Sequence, residues 1–205
     1  MDRTFNCRKA HALAIWKYLL EHDNGVTNFH FEISADLLDE EELDVIRQMR
    51  PGLIQLEIGV QSANPAVIRQ IRRTMDLDRV EQTVRTIQGF GNTHQHLDLI
   101  AGLPLEDMGS LSVPLTGCTG WAGPAAAGVF KGAVGSPMAE EAADYGLVYR
   151  EEPPYEVLST RWLSYADLLR LKAVEEMLEV YGNSGQFFPD PGGHGKTVGV
   201  AFCHV

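Results

Sequence analysis

The chain has 205 residues, 44% of them hydrophobic and 22% charged, the balance of a globular domain with room for one sizeable core. A formal net charge of −11 and a pI of about 5.0 argue against nucleic acid as a partner, because phosphates need Lys and Arg to replace their counterions. Cys7, Cys118 and Cys203 are far apart and odd in number, which excludes a disulfide framework, leaves no closely spaced metal-ligating pair and suits a reducing cytoplasm. No leader-like segment opens the chain and no apolar run is long enough for a bilayer, so no membrane partner is expected.

The first helix is expected over residues 7–22, where Ala12, Ile15, Trp16, Leu19 and Leu20 recur at helical spacing. Asn6 suits its start, and Asn24-Gly25 offers a left-handed stop. A strand follows over 29–33, with Phe31 and Ile33 on one face and His30 and Glu32 on the other. Asp39 followed by three glutamates predicts a capping box at the start of a second helix, which Pro51-Gly52 ends. The next strand, 53–62, puts Ile54, Leu56, Ile58 and Val60 on one face and Gln55, Glu57, Gly59 and Gln61 on the other. Asn64-Pro65 opens a helix over 66–73, and Asp76 opens another that Gly89 and Gly91 stop. A third strand is expected over 96–103.

Strands separated by helices of this length imply right-handed crossovers and a parallel sheet. One polar face on two of the strands suits a barrel interior near a ligand mouth better than a doubly wound sheet covered on both sides. The expected fold is therefore α/β, a partial parallel (βα) barrel over 1–108. The stretch 109–138 is rich in Gly and Ala and shows neither strand nor helix period, and is expected to be irregular. Helix at 138–146, a short strand at 147–149 and a helix capped by Ser164 make up a C-terminal segment over 139–186. The tail 187–205 is expected to be irregular as well.

Ligands of parallel α/β folds sit at the C-terminal ends of the strands. The polar residues there are Glu32, Gln61 with Ser62, and Asp98. These acceptor-rich groups suit a polyhydroxylated ligand or an ammonium group, and Arg73 suits a carboxylate through its planar donor fork. The same groups also suit barrel-interior residues that satisfy one another, and the pattern leaves both readings open. His94, His96 and Asp98 are spaced for one strand face, where packing is the usual role of such histidines; no metal site is expected. Cys7 lacks an identifiable partner base. Glu57, His96 and Asp98 could serve acid–base chemistry in a cluster-free enzyme.

Four segments, Asp2-Arg3-Thr4-Phe5-Asn6, Phe31-Glu32-Ile33-Ser34-Ala35-Asp36-Leu37-Leu38, Glu57-Ile58-Gly59-Val60-Gln61-Ser62 and Asp98-Leu99-Ile100-Ala101-Gly102-Leu103-Pro104, together resemble the radical S-adenosylmethionine (SAM) superfamily. The likeness is to its cobalamin-binding-domain branch, similar to anaerobic magnesium-protoporphyrin IX monomethyl ester cyclase-like proteins, and covers roughly 2–108 and 136–186. The resemblance implies that Glu32 binds the amino group of S-adenosylmethionine, Gln61 and Asp98 the ribose hydroxyls, and Arg73 the methionine carboxylate, with Ser62 beside them. It also implies a [4Fe–4S] cluster and cobalamin in the intact family. The three-cysteine motif that holds the cluster has no counterpart here, because the chain reads as starting at the end of the family's second strand.

The expectation is a fragment of a radical SAM enzyme that keeps contacts to S-adenosylmethionine, with an unknown small-molecule substrate. The alternative is a remnant with no activity of its own. Ala125–Val134 stands where the family has a sixth strand, and its alanine run suits a compensated frameshift. Open strand edges would favour self-association.

Overall fold

The computed structural model describes residues 4–111, 125–129 and 137–177. Among them the chain forms two compact units, one of residues 4–60 and 74–98, the other of residues 61–73, 99–111, 125–129 and 137–177.

In the first unit, helix α1 (Lys9–Glu21) precedes strand β1 (Phe29–Ile33), helix α2 (Glu40–Gln48) precedes strand β2 (Ile54–Gln61, up to Val60 in this unit), and helix α4 (Leu77–Phe90) precedes strand β3 (His94–Ala101, up to Asp98 here). Helix α3 (Pro65–Gln70) belongs to the second unit. β1 and β2 run parallel, with Phe29 opposite Ile54 and Ile33 opposite Ile58. β1, β2 and β3 lie side by side as a parallel three-strand sheet. The α/β architecture expected from the alternating strands and helices is present.

The core explains this register. Trp16, Leu38, Ile46, Leu53, Ile54, Leu56, Ile58, Ile87 and Leu97 are fully buried. Each such side chain is worth about 1.5–3 kcal/mol of transfer free energy, and a one-residue slip of β2 would exchange its apolar row for Gln55, Glu57 and Gly59. Trp16 packs edge-on against Phe31, at 6.1 Å between centroids, and against Phe5 at 5.5 Å, a purely packing role.

The helix signals act largely as written. Asp39 accepts from the amides of Glu41 and Glu42 at 3.1 and 3.2 Å, and Glu42 accepts in return from the Asp39 amide at 3.1 Å, a complete capping box. Asn64 and Asp76 cap α3 and α4, and Gly91 leaves α4 at φ 68°. Asn6 departs from expectation. It is buried and makes a two-way bridge to the backbone of Ser34, donating to its carbonyl and accepting from its amide, both at 2.9 Å. The helix begins at Lys9 without a side-chain cap. The amide that looked like a local cap instead joins segments distant in sequence. Asn92 acts alike, donating to the carbonyls of Ile46 and Met49 at 2.8 Å and so satisfying the end of α2.

The second unit holds α3 and the last residues of β2 and β3. It also holds strand β4 (Ala125–Val129), helices α5 (Pro137–Glu140) and α6 (Ala142–Tyr145), strands β5 (Val148–Tyr149) and β6 (Val157–Ser159), and helix α7 (Tyr165–Met177). β4 stands next to β3 in the sheet order, so the stretch expected to be irregular contains a strand. Alanine and glycine hide a strand from a periodicity reading because they carry no polar–apolar contrast. The helix expected over 138–146 is two short helices, and β6, which the sequence reading did not place, pairs antiparallel with β5. Ser164 and Asp167 form a reciprocal cap for α7, as expected. The tail 187–205 lies outside the described residues, as does much of 109–138.

Candidate functional site

The polar residues of the first unit collect on one face of the sheet. The parallel register sets His30 opposite Gln55 and Glu32 opposite Glu57, so each pair projects to the same side. On β3 the face is continued by His94, His96 and Asp98, alternating with buried Gln95 and Leu97. His30 Nε2 lies 3.1 Å from Glu57 Oε2. His94 packs edge-on against His96 at 4.4 Å, and His30 lies 6.4 Å from His96. No group of three His, Cys, Asp or Glu among the described residues could hold a metal ion. Burial also lowers the His94 pKa.

Asp98 is the centre of this face. Burial, a hydrogen bond with Glu57 and the negative charges of Glu57 and Glu32 raise its pKa from 3.8 to about 7. The three carboxyl groups are therefore near enough to feel one another, and the Asp98–Glu57 contact holds a proton near neutral pH. Glu32 and Asp98, two of the residues singled out from sequence, are thus brought together. Glu57 joins them, although the sequence reading placed it only in the acid–base alternative. Its signal lies in the sequence, because it shares the polar alternation of β2 with Gln61.

Gln61, Ser62 and Arg73 belong to the second unit. Gln61 is half-buried and left-handed, at φ 67°, which stops β2 abruptly. Arg73, half-buried, donates its backbone amide to the Ile68 carbonyl at 3.0 Å and closes α3. Ser62, expected beside the ligand, is tied into the fold. It is buried, donates its hydroxyl to Glu106 Oε1 at 2.6 Å and accepts from the Asn64 amide at 3.1 Å. Its one donor is committed inside the fold.

Glu106 was not identified from sequence. It follows Gly102-Leu103-Pro104-Leu105, where an acidic residue looks like solvated loop. In the structure it is fully buried, and its amide donates to the Leu103 carbonyl at 3.3 Å, a turn that swings the side chain inward. Burial, opposed by the Ser62 hydrogen bond and aided by the charge of Asp107, raises its pKa from 4.5 to about 7. Its Oε2 has no hydrogen-bond partner.

Solved structures share this architecture. The radical S-adenosylmethionine methyltransferase TsrM from Kitasatospora setae, with cobalamin and a [4Fe-4S] cluster bound, matches at a TM-score of 0.60 and 15% identity, over 80% of this chain and 34% of that one. Coproporphyrinogen III oxidase HemN from Escherichia coli, a radical SAM enzyme, matches at 0.57 and 21% identity, over 84% and 37%. The fold is that of radical SAM enzymes. TsrM with its tryptophan substrate and the SAM analogue aza-SAM matches at 0.57 and 16% identity, over 76% and 32%. The chain thus spans about a third of the length of these proteins. Residues 143–189 match a family described as a protein of unknown function, DUF4080. No curated protein matches the chain.

Proposed function

We propose that the chain is the part of a radical SAM protein that contacts S-adenosylmethionine, from the cobalamin-binding-domain branch of the superfamily. Glu32 takes the amino group in this reading, Asp98 and Gln61 take ribose hydroxyls, and Arg73 takes the carboxylate. The observation that carries it is the crowding of Glu32, Glu57 and Asp98, which lifts the Asp98 pKa to about 7. A cationic ammonium and hydroxyl donors would relieve that crowding, since an opposite charge within a few ångströms favours the ionised carboxylate.

The cluster is a different matter. Cys7 is the free cysteine among the described residues, it is exposed, and no metal-holding group surrounds it. The described residues do not fit a [4Fe–4S] cluster, so the reading gives them binding rather than electron transfer. Reductive cleavage of S-adenosylmethionine belongs, in this reading, to the intact parent. The same lone thiol favours the second reading, a remnant without activity of its own.

Calorimetric titration with S-adenosylmethionine separates the two. The first reading expects saturable binding that weakens about tenfold or more in Asp98→Ala, a loss of about 1.4 kcal/mol. Absence of saturation at millimolar ligand in a folded sample, or equal affinity in Asp98→Ala, would overturn it.

A further inference from the structure

The second unit contains a polar pair that the proposed binding role does not use. Glu106 is fully buried, one of its oxygens is held by Ser62 and the other has no partner. A buried polar atom without a partner destabilises the fold, so its retention calls for a reason. Its surroundings supply one. Ser62 stands directly after Gln61, which holds a left-handed backbone that a non-glycine residue enters at a cost. Just past this point the Ser62 hydroxyl makes two ties: it donates to Glu106 and accepts from the Asn64 amide at the start of α3.

We infer that Glu106, acting through Ser62, fixes the strand end at Gln61 and is a positioning residue for whatever ligand Gln61 binds. What the Ser62 hydroxyl requires there is an acceptor. An apolar side chain would fill the space without an unpartnered oxygen, but it would leave the Ser62 hydroxyl without an acceptor. The Gly102–Glu106 turn, which brings the carboxyl in, is thereby tied to the last residues of β2. Leu103, Pro104 and Glu106 are all buried along this turn, so the carboxyl cannot turn to solvent without opening it.

The charged neighbour acting on Glu106 is Asp107, which opposes ionisation. A carboxyl more easily protonated in the closed turn than in an opened one makes opening easier as pH rises from about 4.5 to 7. The strand end should loosen over that interval and hold steady above it.

The part of this inference that concerns ligand affinity rests on the proposed S-adenosylmethionine site; the part that concerns the strand end does not. The test uses the full chain with Glu106→Gln and Ser62→Ala, read in two ways. Amide hydrogen exchange of the segment holding Gln61 and Ser62, corrected for intrinsic rates, should lose about tenfold or more in protection between about pH 4.5 and 7 in the parent. That pH dependence should vanish in Glu106→Gln, and Ser62→Ala should be unprotected throughout. S-adenosylmethionine affinity should fall about fivefold or more in Ser62→Ala and stay within about twofold in Glu106→Gln at neutral pH. Unchanged protection at Gln61 in Ser62→Ala, or a parent-like pH dependence in Glu106→Gln, would overturn the inference. Failure of the parent to bind S-adenosylmethionine defeats the binding reading, and the exchange result still decides the role of Glu106.

Discussion

Asp98 in the first unit and Glu106 in the second carry pKa values raised to the same level, about 7, by different means. Burial leads in both. Asp98 also faces Glu57 and Glu32, so part of its shift is like-charge crowding, which an incoming cation can relieve. Glu106 is enclosed and bonded to a neutral hydroxyl, and the charge of Asp107 adds to its shift. No ligand relieves that; only opening of the turn does. Two carboxyls that titrate alike therefore mark different surroundings, a crowded polar sheet face and an enclosed turn.

The strongest way to break this comparison is the pH dependence of stability. Both groups have a raised folded pKa, so the unfolded chain loses its protons first, and stability should fall as pH rises from about 4 to 7 and level off above. For Glu106 the interval from 4.5 to about 7 corresponds to about 3 kcal/mol. Denaturant titrations of Glu106→Gln across that interval should show the slope reduced by about this amount; a parent-like slope would mean that Glu106 ionises freely. Asp98→Asn comes next. Removing one of three crowded carboxyls should stabilise the protein at neutral pH by about 1–2 kcal/mol, discounted because Asp98 is less enclosed, with no gain near pH 4. A loss at neutral pH would show that the carboxylate is satisfied where it stands.

A smaller effect sharpens the comparison from the ligand side. S-adenosylmethionine bound beside Asp98 should pull its proton off, so binding near pH 7 should release up to about half a proton, and more at lower pH. Calorimetry in buffers of different ionisation enthalpy measures this. The release should disappear in Asp98→Asn and persist in Glu106→Gln. The smallest expected effect is a control outside both regions. Asp39→Ala removes the capping box of α2 and should cost about 1 kcal/mol in chemical denaturation, without altering either titration.

The strands and helices of the first unit were legible because their signals are local. Alternation along β2, the Asp39 box and Gly91 each act within a few residues. What sequence concealed was tertiary. Asn6 looked like a cap and is a bridge to Ser34; Glu106, which looked like loop, is buried and takes the Ser62 hydroxyl. Strand parity is enough to put Glu32 and Asp98 on one face of the sheet, with Glu57 of β2 between them. Glu57 lies two steps of the alternation back from the strand end, behind Gly59, and so does not read as a strand-end group. β4 was missed because alanine offers no contrast of polarity to read.

The left-handed backbone at Gln61 has a bearing on how this chain would respond to selection for robustness. Glycine would occupy that conformation without the steric cost of about 1 kcal/mol that a side chain brings. Gln61→Gly is thus an available stabilising exchange that the sequence forgoes. Such an exchange would be accepted wherever durability alone counts and refused wherever the amide is needed. A library scored first for heat resistance and then for ligand capture should enrich glycine at this position in the first round and glutamine in the second.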